Sequence, residues 1–156
     1  MQAATGEWPV AFRGRATGVV RGPGPDEGLL EVSVDGTSIL VSAGSPPPTG
    51  SAVLLQLCAR DVLLARDPAL RCSARNRIPA RVAALRPFGR HLLATLRGAA
   101  GLELHAEVSR SAAAELELRE GAAVVALFKA NAVGLVPGGA AQEPAGAGAR
   151  GSPPPP

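Results

Sequence analysis

Two stretches of this chain are one pattern written twice. Residues 50–65, Gly Ser Ala Val Leu Leu Gln Leu Cys Ala Arg Asp Val Leu Leu Ala, align without a gap on residues 121–136, Gly Ala Ala Val Val Ala Leu Phe Lys Ala Asn Ala Val Gly Leu Val, at an offset of 121 − 50 = 71. Gly50 matches Gly121, Val53 matches Val124, Ala59 matches Ala130 and Val62 matches Val133. In a chain of 156 residues, a repeat of this period calls for two small units of similar build. The same offset brings residues 15–21 only approximately onto 86–90.

Both units are written in strands. Residues 29–34 alternate apolar and polar, Asp35 Gly36 follows, and residues 37–41 return. Asp-Gly between alternating runs predicts a type I′ hairpin, whose two central residues need positive φ. Upstream, residues 15–21 read as a strand halted by Gly22 Pro23 Gly24 Pro25. After a loop at 45–50, residues 52–57 and 62–65 read as two further strands. In the second unit, 78–86 and 90–97 are strands about a turn at Pro87 Phe88 Gly89, and Gly98 to Gly101 turns the chain again. Residues 102–108 place Leu102, Leu104, Ala106 and Val108 on one face. Ser109 is an N-cap for a short helix over 110–118, and two strands run on to 136.

Hydrophobic residues make up 46% of the chain but aromatics only 3%, so the core is built of Leu, Val and Ala, which suits tight barrel interiors. The expectation is an all-β protein with one short helix, two OB-like five-stranded β-barrels in tandem. The first barrel is expected over 15–70 and the second over 71–136, with an arm at 1–14 and a disordered Gly/Ala/Pro tail at 137–156.

Chemistry concentrates in two places. Ser73 Ala74 Arg75 Asn76 leads into a strand, and Lys129 Ala130 Asn131 lies in an apolar run. Lys129 is the sole lysine, against fifteen arginines, and Asn76 and Asn131 are the sole asparagines. A tetrahedral dianion needs donors converging from several directions and a cation to offset its desolvation. Ser73 and Arg75 offer a hydroxyl, a guanidinium and backbone amides. Lys129 offers a compact charge and Ala130 an N–H. Ser109 offers a hydroxyl at a helix start. Plainer readings stand beside these: a polar turn at Ser73, a lysine snorkelling to water, Ser109 as a cap only, and Arg77 and Arg110 as solvated charges. Asn76 reads as a residue that fixes a turn.

Ser73 Ala74 Arg75 Asn76 entering a strand, Ser109 at a helix start, and Ala126 Leu127 Phe128 Lys129 Ala130 closing the unit together resemble the molybdate-binding module called Mop or TOBE. That module occurs as free-standing molbindins and at the C-terminus of the ATP-binding subunits of molybdate importers. The resemblance implies molybdate or tungstate as ligand, held by Ser73, Ala74, Arg75, Ser109, Lys129 and Ala130, with no covalent cofactor and no metal beyond the oxyanion. It implies a regulatory or storage role, sites made where barrels meet, and hence a homo-oligomer, dimer or higher. The ATPase and membrane subunits of an importer are further partners that it implies. Where the family often has a second hydroxyl three residues after the serine at 109, this chain has Ala112.

Other classes are disfavoured. The net charge of +3 is spread without a basic block, and four aromatics, Trp8, Phe12, Phe88 and Phe128, are too few and too scattered for a base-stacking groove. An OB-type single-stranded nucleic-acid module is therefore the alternative, with a purely structural dimerisation module beside it. No Gly-x-x-x-x-Gly-Lys-Ser/Thr occurs, since the sole lysine precedes Ala130. His91 and His105 suit no metal spacing, so no enzyme is expected. Two cysteines and the absence of a signal-like or membrane-length apolar run point to the cytoplasm, and the resemblance adds a peripheral place at the inner face of the membrane.

Overall fold

The computed structural model describes residues 16–138. Its strands are β1 (Ala16–Pro23), β2 (Leu29–Val34), β3 (Thr37–Ser42), β4 (Ala52–Gln56), β5 (Leu63–Ala65), β6 (Asn76–Phe88), β7 (His91–Gly98), β8 (Glu103–Val108), β9 (Ala123–Phe128) and β10 (Gly134–Pro137). Among the described residues one α-helix, α1 (Arg110–Glu115), and three 3₁₀ turns accompany them. The arm, with Trp8 and Phe12, and nearly all of the tail fall outside the described residues.

Two antiparallel five-stranded sheets form, in the orders β10-β4-β1-β2-β3 and β5-β9-β6-β7-β8. This is the expected pair of OB-like barrels, but each contains a strand from the other half of the chain. β5 pairs with β9, Leu64 opposite Ala126, and β10 pairs with β4, Leu135 opposite Leu55. The boundary expected between residues 70 and 71 is thus crossed by a strand in each direction. The 3₁₀ turns Ala59–Asp61 and Ala130–Ala132 carry the crossings, the first lying against β8 and the second against β3.

The repeat extends beyond the stretch that revealed it. In β4 and β9 the offset is 71, since Ala52 pairs with Val19 as Ala123 pairs with Arg81. Between β1 and β6 it is therefore 81 − 19 = 62, and both strands carry a bulge at the same place, Val20/Gly22 and Val82/Ala84. The looser match of 15–21 to 86–90 is corrected accordingly: residues 16–21 correspond to 78–83, in the first part of β6. The shift from 62 to 71 reflects longer connections in the second half. The largest is α1, which stands where the first half has the Pro46 Pro47 Pro48 loop.

Local chemistry explains the remaining boundaries. Asp35 and Gly36 have φ of 51° and 80°, the expected type I′ turn. β1 continues past Arg21 to Pro23 because the bulge lets Gly22, at φ 137°, re-enter the ladder opposite Glu31. Pro87 is not in a turn. It lies in β6 opposite Leu92, beyond the reach of β9, where its missing N–H costs nothing. The turn is Gly89 Arg90, with φ 60° at Gly89. The helix stops earlier than expected: Glu117 enters the left-handed region at φ 52°, and Leu118 N–H bonds Ala113 O at 3.0 Å, a Schellman ending.

One apolar core runs through both barrels, from Val20, Val32, Ile39 and Val53 to Leu96, Leu104, Val124 and Phe128. Space within it is tight. A Cβ on Gly18 would lie 2.5 Å from Val32 Cγ1, so the strands approach there as only glycine allows.

Candidate functional site

The sequence Cys-Ser-Ala-Arg-Asn-Arg folds as an alternation. Ala74 and Asn76 turn inward, while Ser73 and Arg75 are exposed. Ala74 packs in a small apolar cluster with Ala65, Val125 and Leu127, with Cys72 against it. This cluster is separate from the main core and seats the 73–75 turn on the face of β9. A single methyl therefore fixes where the flanking hydroxyl and guanidinium stand. Arg75 Nη2 donates to Cys72 O at 3.1 Å, which closes the turn and leaves the other guanidinium N–H groups available. Arg77, read from the sequence as a solvated charge, is partly buried, with Nη2 3.4 Å from Cys72 Sγ.

β9 brings the second stretch alongside. Asn76 pairs with Phe128 and Arg77 with Leu127, so Arg75 and Lys129 each stand one residue past the same end of that ladder. Lys129 caps the 3₁₀ turn Ala130–Ala132 in extended conformation, φ −81° and ψ 148°. The lysine is exposed and makes no ion pair among the described residues. Ala130 is buried at the start of that turn, where the first amides of a helical turn have no acceptor within it. Ser73, Ala74 and Arg75 precede β6, and Lys129 and Ala130 follow β9, at the end of the ladder where Asn76 pairs with Phe128.

Asn76 does not fix a turn; it is the first residue of β6. Its buried carboxamide reaches the other barrel and binds both backbone groups of one residue there. Leu40 N–H donates to Asn76 Oδ1 at 2.7 Å, and Asn76 Nδ2 donates to Leu40 O at 2.9 Å. The side chain thus acts as a one-residue strand against β3. The sequence marked Asn76 as unusual, but its partner lies 36 residues away and no local pattern points to it.

Ser109 stands on another element. It caps α1, accepting from Ala112 N–H at 3.1 Å, and lies one residue past Val108, which pairs with Leu92 at the start of β7. That is the Phe88 end of β6, while the 73–75 turn adjoins the Asn76 end. In the closed barrel β8 also lies against the 3₁₀ turn Ala59–Asp61, which leads into β5 beside β9, and the hydrogen bonds of Ser109 itself run to Ala112 N–H and Ser111 Oγ. Beside it, Ser111 Oγ lies 3.3 Å from Ser109 Oγ and is exposed. It supplies a second hydroxyl that the focus on position 112 missed, although a Ser-x-Ser at a helix start was visible in the sequence.

The equivalent turn in the first half shows what is specific to the second. Cys58 caps Ala59–Asp61 with φ −86° and ψ 136°, close to the conformation at Lys129, yet the cation is absent and Arg60 falls two positions on. Among the described residues no group of three or more His, Cys, Asp or Glu is placed to hold a metal ion, and no helix is long and apolar enough to cross a membrane.

Residues 72–135 match the TOBE domain family. Over 118 residues, covering 73% of this chain, the sequence is 37% identical to the molybdenum import ATP-binding protein ModC of Rhodopseudomonas palustris strain BisB18. To the protein of that name from Paramagnetospirillum magneticum it is 33% identical over 103 residues, 66% of this chain. The matches span 30% and 28% of those relatives' own lengths. Among solved structures, the cytoplasmic molybdate-binding protein ModG, determined with molybdate bound, superposes with a TM-score of 0.68 at 27% identity, covering 80% of this chain and 96% of that one.

Proposed function

We propose, for a chain that belongs to the TOBE domain family through residues 72–135, that it binds molybdate as a regulatory or storage module and carries no ATPase domain of its own within these residues. The observation that supports the reading is the register of Asn76 with Phe128, since Arg75 and Lys129 flank that pair and Ser73 is exposed two residues before Arg75. Two cations and several hydrogen-bond donors at one strand end match a small dianion. The names of the ModC relatives and of ModG supply the identity of that dianion.

In this reading Ser109 enters the same site from a second copy, where barrels meet. A partner chain that docks its α1 end against the 73–75 turn completes the donor set, Ser111 included, so ligand binding and self-association are one event in this reading. The ATPase and membrane subunits of an importer are the heterologous partners it allows, from a cytoplasmic position. Tungstate, of equal charge and shape, is accepted by the same donors. The chain acts by binding, with no catalytic residue assigned.

Isothermal titration of the purified chain with molybdate, with sulfate as control, tests this. Saturable heat is expected with molybdate. In Lys129→Ala the affinity drops roughly tenfold or more, since a charge-assisted hydrogen bond contributes about 1.5–3 kcal/mol. Folded protein that takes up neither molybdate nor tungstate would sink the reading.

A further inference from the structure

A second concentration of positive charge lies on the same barrel, farther along β6 and bordering the apolar cluster that seats the 73–75 turn, with Val125 common to both. Arg81 of β6 and Arg97 of β7 are direct cross-strand partners. Like charges placed so oppose folding. Arg66, just past β5, joins them, and the three line a cleft of about 460 Å³ floored by Pro79, Ala80, Val124 and Val125.

Two of the guanidiniums are held in place by the backbone. Arg66 Nη1 donates to Ala123 O at 2.7 Å, and Arg81 Nη1 donates to Gly121 O at 2.8 Å. Both are thus anchored on the segment that enters β9, with their other N–H groups free to point elsewhere. Arg97 Nη2 lies 3.5 Å from Glu103 Oε2. Asp67, the acid nearest Arg66 in sequence, accepts from Ala69 N–H at 2.8 Å. Among the described residues neither Arg66 nor Arg81 has a carboxylate partner. Three cations and one carboxylate around an apolar floor leave the cleft electrostatically incomplete.

We propose that this cleft is a second ligand site, distinct from the one built on Lys129, for a small organic anion carrying a phosphate or carboxylate group on an apolar or planar body. The arginine forks match either group bidentately. The volume is that of a small-molecule site, and the apolar floor receives the body.

The test is two-dimensional NMR titration of the full chain with phenyl phosphate and with phthalate, beside inorganic phosphate. Saturable shifts are expected at the amides of Arg81, Gly98, Ala99 and Val124 with at least one organic probe, and the stronger of the two names the anionic group. Inorganic phosphate should bind roughly tenfold more weakly or worse. The Arg81→Gln/Arg97→Gln protein should lose the response while melting at the same or a higher temperature, because the facing charges are gone; a merely structural role predicts a lower one. Lys129→Ala should respond like the unaltered chain. No saturable shift at these amides, inorganic phosphate binding as well as the organic probes, an unchanged response in the double variant, or its loss in Lys129→Ala would each overturn the proposal.

Discussion

Asn76 concentrates at one position what usually takes a pair of strands. Its carboxamide supplies an acceptor and a donor to the two backbone groups of Leu40, and the residue itself is 3% exposed. Alanine there would remove both bonds and leave two partly buried backbone groups to find water. The expected loss is about 2–3 kcal/mol, read as a lower denaturation midpoint with an unchanged slope. Asn76 also stands between Arg75 and the strand that leads to Lys129, so its bond to β3 ties the candidate oxyanion site to the other barrel. From the sequence, its rarity and its place beside Arg75 were legible. The role was not, because an asparagine that mimics a strand and one that shapes a turn look alike until the distant partner is known.

At the scale of elements, the 73–75 turn is a short polar segment that depends on an apolar anchor. Ala74 fills a pocket formed by Ala65, Val125 and Leu127, and Ala65 belongs to β5, the strand borrowed from the first half. Leucine at position 74 would overfill this pocket, with a cost of about 1–3 kcal/mol, and would lift Ser73 and Arg75 out of position. Molybdate affinity should fall in Ala74→Leu although every charged donor is retained, as titration beside Lys129→Ala would show. Most elements could be read from alternation, the Asp35 Gly36 turn and the Ser109 cap. Boundaries failed where a strand crosses a residue that usually stops one. Pro23 and Pro87 both sit in ladders, the first past a bulge and the second at an edge without a neighbour, and neither circumstance is written in the local sequence.

For the whole molecule, the exchange of β5 and β10 decides what can fold alone. The repeat revealed that these strands are equivalent, 63 + 71 = 134, but periodicity gives a strand its faces and never its partner. Which barrel each strand completes was therefore closed to sequence reasoning. A fragment of residues 71–138 keeps β6 to β9 and lacks β5, while its β10 has lost β4. Since β10 is the counterpart of β5, two such fragments can complete each other. The expected product is a dimer in sedimentation equilibrium, with no folded monomer, whereas the full chain should unfold in one cooperative transition.

The sheet order β10-β4-β1 has a consequence for how the unit can be joined to other sequence. Ala16 and Leu135 both face Leu55 from opposite sides, so the first and last strands are separated by a single strand, roughly 10 Å. β1 and β10 run parallel, both antiparallel to β4, so residue 16 at the level of Leu55 and residue 137 at the level of Val53 are also offset by two residues along the sheet, a gap that a short bridge can span. A short glycine-serine bridge from residue 138 back to 16, with new ends opened in the exposed loop at Pro46 Pro47 Pro48, should give a circular permutant of near-native stability by thermal melting. Splicing the unit into a loop of another protein would demand of the host a gap about two strands wide and a chain that turns back on itself.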